Sequence, residues 1–169
     1  MKDIWKAKPT NISVELKVRL FKASCLAILL YGSETWTLTK QQKQVLNSFA
    51  TSCYRIMLGI KRMDHVTNET IYALVNEKPL SLVIARRQLT WVGHMLRAKE
   101  SELIRKYALW EPEQQLGTAR RGRPKLSFSK YVAELINTEY PPSAAEIEKA
   151  AQDRAKWKKL VLECTKADT

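Results

Sequence analysis

The chain has 169 residues, 45% of them hydrophobic, which is enough to bury one substantial core or two small ones. Its 29 Lys and Arg residues exceed its 17 Asp and Glu residues, and the resulting net charge of +12 favours a polyanionic partner, with nucleic acid first. We expect an intracellular protein with no membrane partner, because no apolar run approaches the ~18 residues of a spanning helix and Met1 is followed by charged residues, unlike a secretory signal.

The first helix is predicted to begin at Val14, because Ser13 is a typical N-cap residue. Gly32 ends it, and residues 33–38 are expected to form a connector in which Trp36 is packed. Apolar residues along the helix recur at intervals of three and four, which predicts one buried face. That face comprises Val18, Phe21, Cys25, Ile28 and Leu29.

A second helix is predicted from about Lys40 to Leu58. Thr39 and Gln42 form a capping box in front of it, and Gly59 is suited to end it. Its inward face is predicted to comprise Leu46, Phe49, Cys53, Ile56 and Met57.

Two further helices are predicted in the next forty residues. Thr67 can cap a short helix that ends near Asn76. A longer helix is predicted from about Ser81 to Ala98. The apolar stripe of this longer helix comprises Ala85, Leu89, Val92 and Leu96.

Shorter elements are predicted in the C-terminal half. Helices are expected at about residues 101–110 and 126–136, with a loop between them that contains the basic run Arg120–Lys125. Pro141 and Pro142 break the chain, and a capping box of Ser143 and Glu146 opens one final helix that packs back on the rest. Because no segment alternates as a strand does, we predict an all-α fold, a compact helical bundle with a basic loop.

The acidic residues do not form a catalytic pattern. A polymerase holds two divalent cations between clustered carboxylates, but the four aspartates are scattered and no Tyr-x-Asp-Asp sequence occurs. Glu34, Asp64 and Glu69 fall in different predicted elements, so a nuclease site is not indicated either. We therefore predict no catalytic residue and no enzymatic activity for this chain alone.

Metal and cofactor sites are not predicted. Cys25, Cys53 and Cys164 are widely spaced in helical segments, where a reduced thiol acts as a small core residue. His65 and His94 have no neighbours at zinc-binding spacing. The isolated glycines also argue against a phosphate-binding loop.

The polar side of the Ser81–Ala98 helix is the first candidate binding surface. Guanidinium groups can bind phosphates in a bidentate manner, and an indole can stack on a base. Alternatively, the arginines only solvate this face and the tryptophan is half-buried in the core. The candidate nucleic-acid ligands on this helix are Arg86, Arg87, Trp91, His94 and Arg97.

The basic run Arg120–Lys125 is the second candidate surface. Its sequence from Arg121 to Pro124 matches the core of an AT-hook, in which Pro favours an extended backbone and arginines enter the narrow minor groove of A·T-rich DNA. A solvated basic loop and a nuclear localisation sequence are the alternatives. The candidate ligands in this run are Arg120, Arg121, Arg123 and Lys125.

Several short sequence motifs along the chain resemble motifs of one protein family. They are LYGSETW at Leu30–Trp36, CYRIMLG at Cys53–Gly59, DHVTN at Asp64–Asn68, RRQLTWVGHMLR at Arg86–Arg97, RRGRPK at Arg120–Lys125 and DRAKW at Asp153–Trp157. In this order they resemble the reverse transcriptases encoded by non-LTR (LINE-type) retrotransposons, especially RTE-like elements. The resemblance is to the region that follows the polymerase palm, from the thumb subdomain to the C-terminus.

The resemblance implies a part of an RNA-directed DNA polymerase that lacks the palm and the endonuclease. It implies a thumb-like helical domain at residues 1–98, a basic linker with short helices at 99–142 and a C-terminal helix at 143–169. The expected partner is an RNA·DNA hybrid, RNA or DNA, in the nucleus. The alternative is a protein-interaction module that docks on a separate palm polypeptide or a host protein.

Overall fold

A computed structural model describes Trp5, residues 11–110 and residues 127–166. Every regular element in these ranges is helical, which confirms the predicted all-α class. None of the helices within these ranges is long and apolar enough to cross a membrane. The α-helices are α1 (Val14–Phe21), α2 (Ala27–Leu29), α3 (Lys40–Leu58), α4 (Asn68–Val75), α5 (Leu80–Leu96), α6 (Leu103–Tyr107), α7 (Phe128–Ile136), α8 (Ala144–Gln152) and α9 (Arg154–Cys164).

Contacts divide the chain into two compact units. Among the described residues, the first comprises Trp5 and residues 11–32 and 39–83, and the second comprises Ser33–Leu38 and residues 84–110 and 127–166. The boundary therefore falls inside α5, between Val83 and Ile84. The functional segments 1–98, 99–142 and 143–169 stay a prediction.

Local capping residues begin and end the helices where the sequence indicates. Ser13, Thr67 and the capping boxes Thr39–Gln42 and Ser143–Glu146 accept hydrogen bonds from the first-turn amides that have no partner within the helix. Gly59 ends α3 in the left-handed conformation, with φ of 72°. These predictions are confirmed.

A π-helical segment, Lys22–Leu26, lies between α1 and α2 and changes the buried face predicted for this region. Val18 and Phe21 are buried as expected, but Leu26 and Leu30 take the inward positions and Ile28 is 80% exposed. A π turn accommodates one extra residue, so every later side chain rotates relative to regular α-helical spacing. The inward placement of Ile28 is therefore wrong, whereas Cys25 and Leu29 of the predicted face are half-buried.

The core of the first unit is built around aromatic rings. Phe21 meets Tyr54 edge to face, with ring centroids 5.7 Å apart, and Tyr54 meets Tyr72 at 6.2 Å. Helix α3 consequently buries Ala50, Thr51, Tyr54 and Met57. Of the face predicted for α3, only Met57 is buried, because the amphipathic Tyr54 points inward and leaves Phe49 and Ile56 partly exposed.

The second unit packs α5, α7, α8 and α9 around one core. The predicted apolar stripe of α5, which comprises Ala85, Leu89, Val92 and Leu96, is buried and therefore confirmed. The predicted single C-terminal helix is two helices, because Asp153 ends α8 and its carboxylate accepts from the amides of Ala155 and Lys156 to begin α9. Helix α6 is shorter than the helix predicted at residues 101–110.

Candidate nucleic-acid interface

The solvent side of α5 carries a polar stripe. Arg86, Thr90 and His94 follow each other at intervals of four residues, and all three are exposed together with Arg87. Thr90 donates its hydroxyl hydrogen bond to the Arg86 carbonyl at 2.6 Å. On the opposite side of the helix, Leu89, Val92, Met95 and Leu96 are buried in the core of the second unit. Of the predicted nucleic-acid ligands on this helix, three are therefore accessible to a ligand: Arg86, Arg87 and His94.

Trp91, another predicted nucleic-acid ligand, packs against the core of the second unit. It is half-buried, and its ring meets Phe128 of α7 edge to face, with centroids 6.2 Å apart and planes at 73°. This geometry occupies the ring in an aromatic pair inside the protein. The half-buried alternative weighed from the sequence thus describes its position.

Arg97 is held by the fold at the end of α5. Its Nη1 donates to the Ala151 carbonyl at 2.9 Å, and in the opposite direction Gln152 Nε2 donates to the Leu96 carbonyl at 3.0 Å. The last carbonyls of a helix have no partner within the helix. Helices α5 and α8 thus satisfy each other's C-terminal carbonyls through these two side chains, so that Arg97 connects the two helices.

Gln88 is a residue that the sequence analysis missed. Its amide is completely buried, and Nε2 donates to the carbonyls of Ser33 and Trp36 at 2.9 and 2.7 Å. Its Oε1 accepts from the Tyr131 hydroxyl at 3.2 Å. Burial raises the pKa of Tyr131, although its hydrogen bonds act in the opposite direction. An amide one position before Leu89, inside an apolar stripe, was the available indication of such a role.

Trp157, the tryptophan of the DRAKW sequence, contacts α5. Trp157 of α9 is 3% exposed, and its Nε1 donates to the Leu89 carbonyl at 2.8 Å. Its ring lies directly over Gly93, where a Cβ would overlap it. Gly93 thus allows the close approach of an indole from the same unit.

Other predicted features lie elsewhere or outside the described ranges. Arg120, Arg121, Arg123 and Lys125 fall outside the described residues. Among the residues that the structure describes, no group of three or more His, Cys, Asp or Glu side chains could hold a metal ion. The three cysteines are half-buried free thiols.

Comparison with known proteins shows similarity to a transposon-derived protein. The chain is 28% identical over 102 residues to an uncharacterized transposon-derived protein of Caenorhabditis elegans, a match that covers 58% of this chain and 37% of the relative. The chain thus spans little more than a third of the relative it matches. No family model matches the chain, and no solved structure matches it.

Proposed function

We propose that this chain is the non-catalytic thumb and C-terminal portion of a retrotransposon reverse transcriptase, and that it binds nucleic acid in the nucleus. The observation that carries the proposal is the solvent face of α5, where Arg86, Arg87 and His94 are exposed on a helix that has no Asp or Glu residue. Such a face attracts phosphates through charge and offers guanidinium groups that bind them geometrically. The net charge of +12 and the similarity to a transposon-derived protein support the same conclusion.

The basic run Arg120–Lys125 is proposed as a second contact. Its Arg-Gly-Arg-Pro sequence suits the minor groove of A·T-rich DNA, since a narrow groove concentrates negative potential. The two surfaces would then contact different parts of one nucleic-acid ligand.

Binding measured across salt concentrations tests the proposal. A labelled RNA·DNA hybrid, an A·T-rich duplex and a single strand are titrated with the full chain and with the R86Q/R87Q variant. Each lost phosphate contact reduces the slope of log K against log salt by about 0.9, so we expect a reduction of roughly two. Neutralising Lys130 and Lys149, which are exposed on α7 and α8, is the charge-matched control. If R86Q/R87Q has the same slope of log K against log salt as the wild type, the proposal is contradicted.

A second candidate function is docking on a palm-containing polypeptide. The observation in its favour is a set of large apolar side chains that the first unit exposes at helical intervals. They are Leu16 and Leu20 on α1, and Val45, Phe49 and Ile56 on α3. Co-purification with the palm region of a retrotransposon polymerase, compared between the wild type and V45S/I56S, tests this candidate. If the wild type and V45S/I56S recover the palm polypeptide in equal yield, the docking candidate is contradicted.

A further inference from the structure

The connection between α7 and α8 in the second unit is fixed at both of its ends. Asn137 leaves α7 with extended backbone angles, φ of −150° and ψ of 119°, and its Oδ1 accepts from the amides of Glu139 and Tyr140 at 3.0 and 3.1 Å. At the other end, Ser143 is the N-cap of α8. The three residues Tyr140–Pro142, the proline segment, are therefore held between two hydrogen-bonded turns.

The proline segment has the backbone restraints of a polyproline II helix. A proline ring fixes φ at about −65°, and a residue that precedes a proline is kept in an extended conformation. Tyr140 and Pro141 both precede a proline. Ser143 continues with φ of −68° and ψ of 160°, close to the polyproline II values of about −75° and +145°. None of the peptide bonds in the described residues is cis.

The fold does not account for the side chains of the proline segment. Tyr140 is 79% exposed, and Pro141 is exposed as well. Helix α7 already ends where Asn137 becomes extended, and Ser143 begins α8 with its own side chain. Two consecutive prolines are therefore not required to separate the helices, and an exposed tyrosine adds nothing to the core.

The backbone oxygens of the proline segment are also available. A polyproline II helix has no internal hydrogen bonds. No backbone amide of the described residues donates to the carbonyl oxygen of Tyr140, Pro141 or Pro142. A binding partner can therefore donate hydrogen bonds to this segment, as the O–H and N–H groups of Tyr and Trp side chains do.

A groove runs beside the proline segment. Its volume is about 460 Å³, and it lies between α7 and the start of α8. One wall comprises Ser129, Lys130, Ala133 and Glu134, and the other comprises Pro141, Pro142, Ser143 and Ala144. A ring from a partner can thus approach the prolines from the groove.

The local charge favours a protein partner over nucleic acid. Residues 131–146 contain three Glu residues and no Lys or Arg, although the whole chain has a net charge of +12. Lys130, which lines the groove, lies one turn from Glu134. Phosphates gain little attraction at such a site, whereas a partner with basic side chains around its own groove is complementary to it.

We propose that the proline segment docks in the aromatic-lined groove of a polyproline-binding protein domain, the kind represented by SH3, WW and EVH1 domains. The prolines lie between the rings of that groove, and Tyr140 adds a large contact beside them. Because the fold already holds the segment between two turns, little conformational entropy is lost on binding. This partner is distinct from the proposed nucleic-acid ligand.

Displacement measured by fluorescence anisotropy tests the inference. Labelled proline-rich peptides are bound to purified SH3, WW and EVH1 domains, and the full chain is added at physiological salt. We expect the wild type to displace the peptide from at least one of these domains. Tyr140→Ala and P141A/P142A should each require a roughly tenfold higher concentration, because they remove central contacts. The matched control is Tyr31→Ala, at a side chain of the first unit that is 86% exposed.

Three outcomes decide between docking of the proline segment and other contacts. Displacement that is weakened in both variants and unchanged in Tyr31→Ala supports the inference. No displacement from any of the three domains overturns it, and so does equal displacement by the wild type and Tyr140→Ala. Circular dichroism checks the fold of P141A/P142A, while Tyr140→Ala, at an exposed side chain, should keep the wild-type spectrum. Nucleic-acid titrations with the same variants should be unchanged, so this inference and the proposed function fail independently.

Discussion

Trp157 packs its indole ring directly against Gly93 and donates a hydrogen bond to the Leu89 carbonyl at 2.8 Å. In an α-helix that carbonyl also accepts from the amide four residues later, which belongs to Gly93. The indole that reaches this carbonyl occupies the place that a Cβ of residue 93 would take. The sequences RRQLTWVGHMLR and DRAKW therefore supply the two partners of one packing contact.

Gly93→Ala is expected to destabilise the protein by roughly 1–3 kcal/mol, because the new methyl group overlaps the indole and forces the packed helices apart. Alanine is otherwise the better helix former, so propensity alone predicts the opposite sign. Urea denaturation followed by circular dichroism measures the change.

A double-mutant cycle identifies the cause. In a Trp157→Leu background the ring is absent, so adding Gly93→Ala should cost much less than it does in the wild type. Equal costs in the two backgrounds would show that the methyl group meets something other than the indole.

Gln88→Leu is expected to lower the free energy of unfolding by on the order of 3 kcal/mol, because it leaves the carbonyls of Ser33 and Trp36 and the buried Tyr131 hydroxyl without this partner. Tyr131→Phe, which removes one hydrogen bond of the same group, should cost only about 1 kcal/mol. Chemical denaturation of both variants checks the order. A Gln88→Leu variant as stable as the wild type would contradict the network.

Substitutions of Arg97 and Arg86 are expected to affect different properties: the first lowers stability, and the second weakens nucleic-acid binding. Arg97→Ala removes the donor to the Ala151 carbonyl and should cost about 1 kcal/mol of stability. Arg86→Ala, on the exposed stripe, should leave stability within about 0.5 kcal/mol of the wild type and weaken nucleic-acid binding. Thermal unfolding and anisotropy on both variants are the measurements. The reverse pattern would mean that Arg97 is the ligand and Arg86 supports the fold.

Stability is expected to fall at alkaline pH. Burial raises the pKa of Tyr54, Tyr72 and Tyr131 above the usual value near 10. The folded state then retains phenol protons that the unfolded state has lost, so the free energy of unfolding decreases as the pH rises above about 10 and is unaffected by these groups below that value.

Tyr54→Phe is the variant that tests this alkaline loss, and Tyr140→Phe, at a side chain that is 79% exposed, is its control. Urea denaturation at about pH 8 and above about pH 10 should show a smaller alkaline loss for Tyr54→Phe than for the control. An identical loss in the two variants would assign the alkaline sensitivity to other groups.

Much of the helical architecture was predictable because it depends on near neighbours in the chain. A capping box such as Thr39–Gln42 is complete within four residues, and Gly59 needs only its own backbone freedom to end a helix. The apolar stripe of α5 was also correctly predicted, since its period is the period of the helix itself. The π turn at Lys22–Leu26 was not, because no pattern of caps or apolar residues in that segment marks the extra residue.

The amino-acid pattern alone predicted most of the helices, several of their caps and the exposed polar face that includes Arg86 and His94, since these features follow from local hydrogen bonds and from helical periodicity. It could not assign the roles of Trp91, Gln88 and Arg97. Each of these side chains is defined by a partner 37 to 55 positions away in the sequence. Burial and hydrogen bonding are properties of the packed chain, so these residues acquire their function only where α5 meets the helices and loop around it.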